Sequence, residues 1–331
     1  MRDWSKRLGH GAALLALACA AVTAGAQALA ADGEATARLL RHGTPHEALF
    51  DIAFDGPRGI AVGTFGTLLS SADGGATWVR ESLAPANNLA LLSVAIVGAH
   101  CVVVGQSGLV FIADDCKTWK AVAPIVPARL LSVAMNAQGV AYAVGGFGTI
   151  LRSADWGKTW AAQSVDWKAF TKDGAEPHLY GVHVAADGTP TLVGEFELIL
   201  RANAAGTQWK ALHKGERSLF ALSVGESGRA YAVGQSGAIL ASSDGGASWR
   251  ELTSGTEAIL TGILAGPKGQ LLVSGINTLL LSPDEGASWK PVSSKTIAQG
   301  RHQALASGTA ADGKTRLLVV GSGGAILELN P

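Results

Sequence analysis

The feature that most constrains the fold of this chain is an eight-residue phrase that occurs six times and always ends in tryptophan. Its pattern is Ser-x-Asp-x-Gly-x-Thr/Ser-Trp, with one degraded copy, and we call each copy an aspartate motif. Successive tryptophans are 41, 41, 49, 40 and 40 residues apart. A repeat near 40 residues indicates stacked structural units, and it favours a binding scaffold over a catalytic one.

Each repeat reads as four short β-strands, most clearly in the third copy. There, residues 130–135, 140–144 and 149–153 are strand-like runs separated by turns, and a fourth strand begins at Trp160. The Gly-rich turn between the second and third runs needs positive φ angles, which glycine adopts at little cost. Short strands with turn residues at fixed offsets, and no helical period, predict an all-β fold.

The number of repeats predicts a closed ring. A seventh hairpin segment occurs at 320–324, but no aspartate motif follows it. Residues 38–43 stand where the missing fourth strand would be. We therefore predict a seven-bladed β-propeller of four-stranded blades whose last blade is closed by an N-terminal strand. The predicted blades are 49–84, 91–127, 130–167, 179–214, 219–256, 259–295, and 304–330 together with 38–43.

One position near the start of the first strands supports this ring. It carries mostly small residues, which suit the innermost strand of a propeller, where all the blades converge. Asp51 is its only acidic member. The residues at this position are Asp51, Ser93, Ser132, Gly181, Ala221 and Gly262.

The first 26 residues read as a secretory signal peptide rather than as part of the fold. Three basic residues precede the apolar run 12–24, and small-residue cleavage sites follow, the latest of which would end the leader as late as residue 31. This predicts export to the periplasm or a similar compartment and a single domain over residues 27–331, with no transmembrane segment. Cys19 lies in a poor match to a lipoprotein box, so lipid anchoring is not expected.

Charge and cysteine content narrow the function further. Without the leader the chain has 23 basic and 25 acidic residues, since three of 26 basic and one of 26 acidic residues are removed. This balance does not favour nucleic acid as a partner. Cys101 and Cys116 lie in one repeat, where an exported protein could join them in a disulfide. Two buried free thiols are the alternative.

The aspartate motif has a structural explanation. The carboxylate can accept hydrogen bonds from nearby backbone N–H groups and from the Thr or Ser hydroxyl, which stabilises a tight turn, while the Trp ring is buried between blades. Six acids spread around a ring cannot serve one active site. The residues given this structural role are Asp73, Trp78, Asp114, Trp119, Asp155, Trp160, Trp209, Asp244, Trp249, Asp284 and Trp289.

The aspartate motif resembles the Asp-box, or bacterial neuraminidase repeat. The longer unit, Leu-x-Ser-Val followed by Ala-Val-Gly-x-x-Gly-x-Ile-Leu-x-Ser-x-Asp-x-Gly-x-x-Trp, resembles the photosystem II stability/assembly factor family over residues 38–330. Units four and six depart from it at Glu197, Asn203 and Asn277. The resemblance implies a seven-bladed propeller outside the cytoplasm, or in a thylakoid-lumen-like compartment of a photosynthetic host. It also implies help in assembling a membrane complex through binding of newly made subunits.

The alternative is a carbohydrate-active or glycan-binding propeller of the sialidase type. Such enzymes also carry Asp-boxes, but they need an early Arg-Ile-Pro motif, which this chain lacks, and a Tyr/Glu pair. Of Tyr142, Tyr180 and Tyr231, the first and last occupy equivalent repeat positions, which indicates packing. We therefore predict no catalytic residue, cofactor or metal. A closed ring has no strand edge that needs a mate, so a monomer is expected.

The irregular parts of the chain predict where a protein partner would bind. The linker between units three and four is about nine residues longer than its peers, and strand direction places it on the same face as the Gly-rich hairpins and the other linkers. Binding residues concentrate on such loops. These residues could also be solvated linkers, with Trp167 covering a blade edge. The candidate partner-binding residues are Trp167, Lys168, Phe170, Lys172, Glu195, Glu197, Lys214, Arg217 and Arg301.

Overall fold

The chain folds into seven four-stranded antiparallel sheets, arranged as the blades of a ring. A computed structural model describes residues 35–83, 86, 88–225 and 228–330. The prediction of a seven-bladed β-propeller is confirmed, and so is closure of the last blade by an N-terminal strand. The predicted signal peptide lies outside the described residues.

Blades 1 to 6 each take four consecutive strands, while blade 7 takes its outermost strand, β1 (Thr36–Arg41), from the start of the ring. Blade 1 contains β2 (Leu49–Asp55), β3 (Arg58–Gly63), β4 (Leu68–Ser71) and β5 (Val79–Glu81). Blade 2 contains β6 (Leu91–Val97), β7 (His100–Gly105), β8 (Val110–Ala113) and β9 (Lys120–Val122). Blade 3 contains β10 (Leu130–Met135), β11 (Ala141–Gly145), β12 (Ile150–Ser153) and β13 (Ala161–Ala162). Blade 4 contains β14 (Leu179–Val184), β15 (Pro190–Gly194), β16 (Ile199–Ala202) and β17 (Trp209–His213).

Blade 5 contains β18 (Leu219–Val224), β19 (Ala230–Gly234), β20 (Ile239–Ser242) and β21 (Arg250–Leu252). Blade 6 contains β22 (Leu260–Ala265), β23 (Leu271–Gly275), β24 (Thr278–Ser282) and β25 (Lys290–Pro291). Blade 7 contains β26 (His302–Thr309), β27 (Thr315–Gly321) and β28 (Ile326–Asn330), which pairs with β1. The one α-helix of the described residues is α1 (Lys295–Ala298), between blades 6 and 7.

The second strand of each blade is buried on both faces, which explains why these strands are continuous apolar runs rather than alternating ones. Every residue of β11 and of β19, for example, is buried. Each of these strands ends in glycine because a Cβ there would collide with a backbone carbonyl at the start of the inner strand. In blade 1 the colliding atom at Gly63 would be the Ala48 oxygen. The repeated Val-Gly pair is therefore a close-packing requirement.

Apolar clusters fill the spaces between neighbouring blades, and the motif tryptophans pack into six of these seven interfaces. The indole group of each motif tryptophan packs against the blade that comes before its own blade in the propeller. Trp78 of blade 1, for instance, lies 5.8 Å from Phe54 between ring centroids, in a cluster shared with Leu318 of blade 7. The interface between blades 6 and 7 is filled instead by Val292 and by Ile297 of α1. Burial of one such large side chain contributes on the order of 2–3 kcal/mol.

The aspartate motif closes the turn between the third and fourth strands. Asp73 accepts hydrogen bonds from the Thr77 backbone N–H at 3.0 Å and from the Thr77 hydroxyl at 2.6 Å. The Ser71 hydroxyl donates to Asp73 and accepts from the Gly75 N–H. Burial raises the pKa of Asp73, but these hydrogen bonds outweigh that effect and lower the pKa to about 2. The carboxylates of Asp155, Asp244 and Asp284 accept the equivalent bonds in blades 3, 5 and 6.

The turn differs in two blades. In blade 2, Asp115 rather than Asp114 accepts from the Thr118 N–H and hydroxyl, at 2.6 and 2.7 Å, because Ile112 replaces the serine that orients the carboxylate elsewhere. Asp114 instead lies 3.1 Å from His100. In blade 4, Asn203 accepts from the Thr207 N–H at 2.9 Å, so an amide oxygen replaces the carboxylate.

Cys101 and Cys116 are joined in a disulfide, with their Cα atoms 5.1 Å apart. Cys116 occupies the turn position that is glycine in four other blades, and it has the left-handed φ of 53°. Both residues are buried in the cluster between blades 1 and 2. The disulfide therefore ties the second strand of blade 2 to its aspartate turn.

Strand β1 closes the ring by pairing with β28 from Thr36↔Asn330 to Leu39↔Leu327. Glu328 is 5% exposed and accepts from Arg38 at 2.5 Å, while Arg316 lies 3.3 Å from its other oxygen. The Arg316 guanidinium also donates to the Asp73 carbonyl of blade 1. The closing strand and the neighbouring blade are thus linked through one buried carboxylate.

We expect Glu328→Ala to lower the free energy of unfolding by about 3 kcal/mol, because it leaves the half-buried Arg316 without its counter-ion. Arg38→Ala should cost no more than about 1 kcal/mol, since the Arg38 side chain is 63% exposed. Urea unfolding followed by tryptophan fluorescence measures both. Equal losses for the two variants would contradict the assignment of Glu328 as the centre of closure.

Reduction of the disulfide, which closes a separation of 15 residues, should lower the free energy of unfolding by about 3 kcal/mol. Two double variants that lack the disulfide test the left-handed turn. Cys101→Ala with Cys116→Gly should be about 1 kcal/mol more stable than Cys101→Ala with Cys116→Ala, because glycine adopts the left-handed turn without steric strain. Urea unfolding with and without dithiothreitol tests both expectations. The second is wrong if the alanine variant is as stable as the glycine variant.

Candidate functional site

The two faces of the ring differ in regularity. One face carries the aspartate turns and the turns between first and second strands. The other, which we call the hairpin face, carries the hairpins between second and third strands and the linkers between blades. All the predicted partner-binding residues lie on connections of the hairpin face, but the structure gives them different environments.

The long linker between blades 3 and 4 is anchored by its aromatic residues. Trp167 is 8% exposed, and its ring lies over Gly148, where any side chain would collide with it. Phe170 packs against the apolar cluster between blades 3 and 4, which also contains Trp167. Asp166 caps the short 3₁₀ turn Trp167–Ala169 by accepting from the Lys168 N–H. Of the predicted residues in this linker, Lys168 and Lys172 are therefore the ones that face solvent.

Glu195 has a structural partner that recurs around the ring. Its carboxylate accepts from the His178 backbone N–H at 2.7 Å, just before the inner strand of blade 4. In four other blades the side chain of the first hairpin residue likewise accepts a hydrogen bond from the backbone N–H just before the inner strand. Glu195 is therefore one of five residues that join a hairpin to an inner strand in this way. The other four acceptors are Thr64, Gln106, Gln235 and Ser322.

Glu197 is a buried acid that organises the linker between blades 4 and 5. It forms an ion pair with Arg217 and lies 3.4 Å from His213. Arg217 also binds Glu251 of blade 5 at 2.8 Å. The hydrogen bond to Glu251, together with Glu197, raises the pKa of Arg217 against the effect of burial. Lys214 is exposed in the same linker, whereas Arg301 is exposed in the linker between blades 6 and 7, where its backbone pairs with that of Ile276.

Three exposed phenylalanines on the hairpin face were not among the predicted residues. Phe65, Phe147 and Phe196 occupy the same hairpin position and are 54%, 70% and 40% exposed. All three have left-handed φ angles, of 53°, 54° and 61°. At this position blades 2 and 5 carry Ser107 and Ser236, with the same conformation. The repeated Phe in an otherwise Gly-rich hairpin was the available sequence signal.

A chain of aromatic contacts runs from one of these phenylalanines to the centre of the ring. The centroid of Phe147 is 5.0 Å from that of His178, His178 is 6.3 Å from Tyr180, and Tyr180 is 4.9 Å from Phe220. We call these four residues the aromatic ladder. Burial, together with the Glu195 carboxylate, raises the pKa of Tyr180, so its hydroxyl remains protonated at neutral pH. The ladder crosses blades 3, 4 and 5.

The inner end of the ladder belongs to a ring of residues near the starts of the inner strands, on the hairpin face, a place that we call the channel mouth. Each inner strand has a register irregularity near its start, and the residue there is half-buried although it lies outside the apolar clusters between blades. In blades 1 to 5 this residue is large and apolar or aromatic. The seven residues are Phe50, Leu92, Leu131, Tyr180, Phe220, Thr261 and Gln303.

The next position inward holds the small-residue column identified in the sequence, with Ala304 as its seventh member. Asp51 accepts there from the Ser93 hydroxyl at 2.7 Å and from the Val94 and Ile52 N–H groups. Ser93 in turn accepts from the Val133 N–H of blade 3. Burial raises the pKa of Asp51 against these hydrogen bonds. Both of its oxygens are thus engaged, and one of them joins the inner strands of blades 1 and 2.

The described residues contain no cluster of three or more His, Cys, Asp or Glu side chains that could hold a metal ion. A shallow cavity of 510 Å³ lies between the start of β24 and α1, and the one charged residue in its lining is Lys295. In the described parts of the chain, no helix is both long and apolar enough to cross a membrane.

Comparison with known proteins agrees with this geometry. A family model described as photosynthesis system II assembly factor YCF48 matches residues 41–125, which contain blades 1 and 2. No curated protein sequence matches the chain.

Several solved structures share the fold over nearly its whole length. A structure described as YCF48 bound to D1 peptide has 20% identity and a TM-score of 0.69, covering 92% of this chain and 97% of its own. YCF48 from Cyanidioschyzon merolae has 17% identity and a TM-score of 0.71, with coverage of 89% and 99%. The WD40 propeller domain of Doa1 has 13% identity and a TM-score of 0.66, with coverage of 89% and 97%. The match over blades 1 and 2, together with the shared fold, confirms the resemblance of this chain to the photosystem II assembly factor family.

Proposed function

We propose that this protein is an exported, non-catalytic β-propeller that binds a protein subunit and assists the assembly or stability of a membrane-associated complex. The observation that carries the proposal is the hairpin face, where exposed aromatic residues and solvent-facing lysines depart from the repeat. Rigid scaffolds present their binding residues on such loops. The match to the YCF48 family model supports the same function.

The compartment is supported by two independent features. The basic, apolar and small-residue segments of residues 1–26 have the composition of a secretory leader. The disulfide between Cys101 and Cys116 suits an oxidising compartment outside the cytoplasm. Export would bring the propeller to the surface of a membrane, where a newly inserted subunit exposes its soluble segments.

A protein partner is favoured over a glycan substrate by the centre of the ring. Asp51 is the one carboxylate in the inner column, and its oxygens accept hydrogen bonds from Ile52, Ser93 and Val94. A glycosidase needs two carboxylates, or a tyrosine and a carboxylate, on either side of the glycosidic bond that it cleaves. The structure of the hairpin face, with an apolar centre and charged residues around it, matches the anatomy of a protein interface.

Affinity capture from detergent-solubilised host membranes, with mass spectrometry of the recovered proteins, tests the function. We expect a membrane-complex subunit to be enriched over capture from the soluble fraction. Lys168→Glu with Lys172→Glu should lower its recovery about threefold, because rim charges act mainly on association rates. The control pair Lys117→Glu and Lys268→Glu, on exposed turns of the opposite face, should leave recovery unchanged.

The outcomes separate the function from the surface. No enriched membrane protein would contradict the proposed function. If recovery of the membrane subunit falls equally in the hairpin-face pair and in the control pair, the proposed function stands but the hairpin face is not the binding surface. Turnover of fluorogenic sialosides that is abolished by Asp51→Asn would replace the proposal with an enzymatic one.

A further inference from the structure

The outermost residue of the aromatic ladder combines solvent exposure with backbone strain that folding alone does not explain. Phe147 is 70% exposed and has a φ of 54°. A non-glycine residue in this region costs about 1–2 kcal/mol, and burial of the ring does not offset that cost here. Ser107 and Ser236 show that the same hairpin forms with a small polar residue.

The spacing of the ladder fits an extended peptide. Its rings follow one another at 5.0, 6.3 and 4.9 Å from the hairpin of blade 3 to the inner strand of blade 5. Side chains on the same side of an extended chain are about 6.6 Å apart. Every second side chain of a bound strand could therefore contact successive members of the ladder, with the innermost one at the mouth of the channel.

The charges around the ladder indicate what kind of peptide it takes. Two acids of the blade 4 hairpin are engaged in the fold, since Glu195 accepts from the His178 N–H and Glu197 is paired with Arg217 and His213. Arg217 is also bound to Glu251. The four ladder side chains thus present aromatic surface, one imidazole and one phenol hydroxyl, and none of them is a carboxylate, an ammonium or a guanidinium group.

We infer that the aromatic ladder is the docking surface for an extended, uncharged peptide segment that carries aromatic or large aliphatic side chains. This inference rests on the proposed function and names the segment of the partner that the propeller would recognise. Aromatic residues at the centre of an interface contribute most of its affinity, while surrounding charges mainly exclude water and steer the encounter. The lysines of the long linker would form such a rim.

The test uses a phage-displayed library of random dodecapeptides selected on the mature propeller. We expect the enriched sequences to share uncharged stretches with Phe, Trp, Tyr or Leu. A fluorescein-labelled synthetic peptide of the enriched sequence then serves as the probe in fluorescence polarisation. Enrichment of acidic, basic or featureless sequences, or no enrichment, would overturn the inference.

Residues at the equivalent positions of other blades supply substitutions that the fold already accepts. Phe147→Ser takes the residue of blades 2 and 5, and Tyr180→Leu with Phe220→Leu takes the residue of blades 2 and 3 at the channel mouth. We expect the triple variant to weaken peptide binding at least tenfold. The matched control, Phe65→Ser with Phe50→Leu, makes the same changes in blade 1, outside the ladder, and should bind within about twofold of the original protein.

Thermal unfolding of both variants verifies that the blades are intact. Equal binding by the triple variant and the original protein would overturn the inference, as would an equal loss in the blade 1 control. Failure of this test with successful capture of a membrane subunit would leave the proposed function standing and place its site elsewhere on the ring. Failure of both experiments would reject the function itself.

Discussion

Every blade interface depends on the antiparallel pairing between β1 and β28, because it converts a row of repeats into a ring. Without β1, the last blade would have three strands and an open edge of unpaired backbone groups. The pairing also buries Glu328 between Arg38 and Arg316, and Arg316 reaches the Asp73 carbonyl of blade 1. One contact between distant parts of the chain thus fixes the position of both the first and the last blade.

Once the ring is closed, the repeated residues have little freedom to vary. The second strands are covered on both sides, their terminal glycines accommodate a carbonyl of the inner strand, and the motif tryptophans fill all but one of the seven interfaces. Blade 2 shows how much change the turn tolerates. There Asp115 replaces the usual aspartate, and a disulfide at Cys116 takes the position of a glycine.

The departures from the repeat collect on the hairpin face, and the structure divides them into two groups. Trp167, Glu195, Glu197 and Arg217 make internal contacts that hold the longer linkers in place. The exposed phenylalanines and the ring at the channel mouth make no comparable contribution to the apolar clusters between blades. This division separates residues that shape the face from residues that are available to a partner, and it is the physical basis for both proposals.

The sequence by itself determined the all-β class, the count of seven blades and the closure of the ring, because a fixed period and a missing last strand are properties of the chain. It also identified the inner column, since small residues recur at one offset. It could not show which hairpin-face residues are buried, because Trp167 and Glu197 acquire their partners only when the long linkers fold against blades 3 and 5. The aromatic ladder likewise joins Phe147, His178, Tyr180 and Phe220 across three blades. Only the tertiary structure decided it, because ring curvature brings inner strands from separate repeats within contact distance.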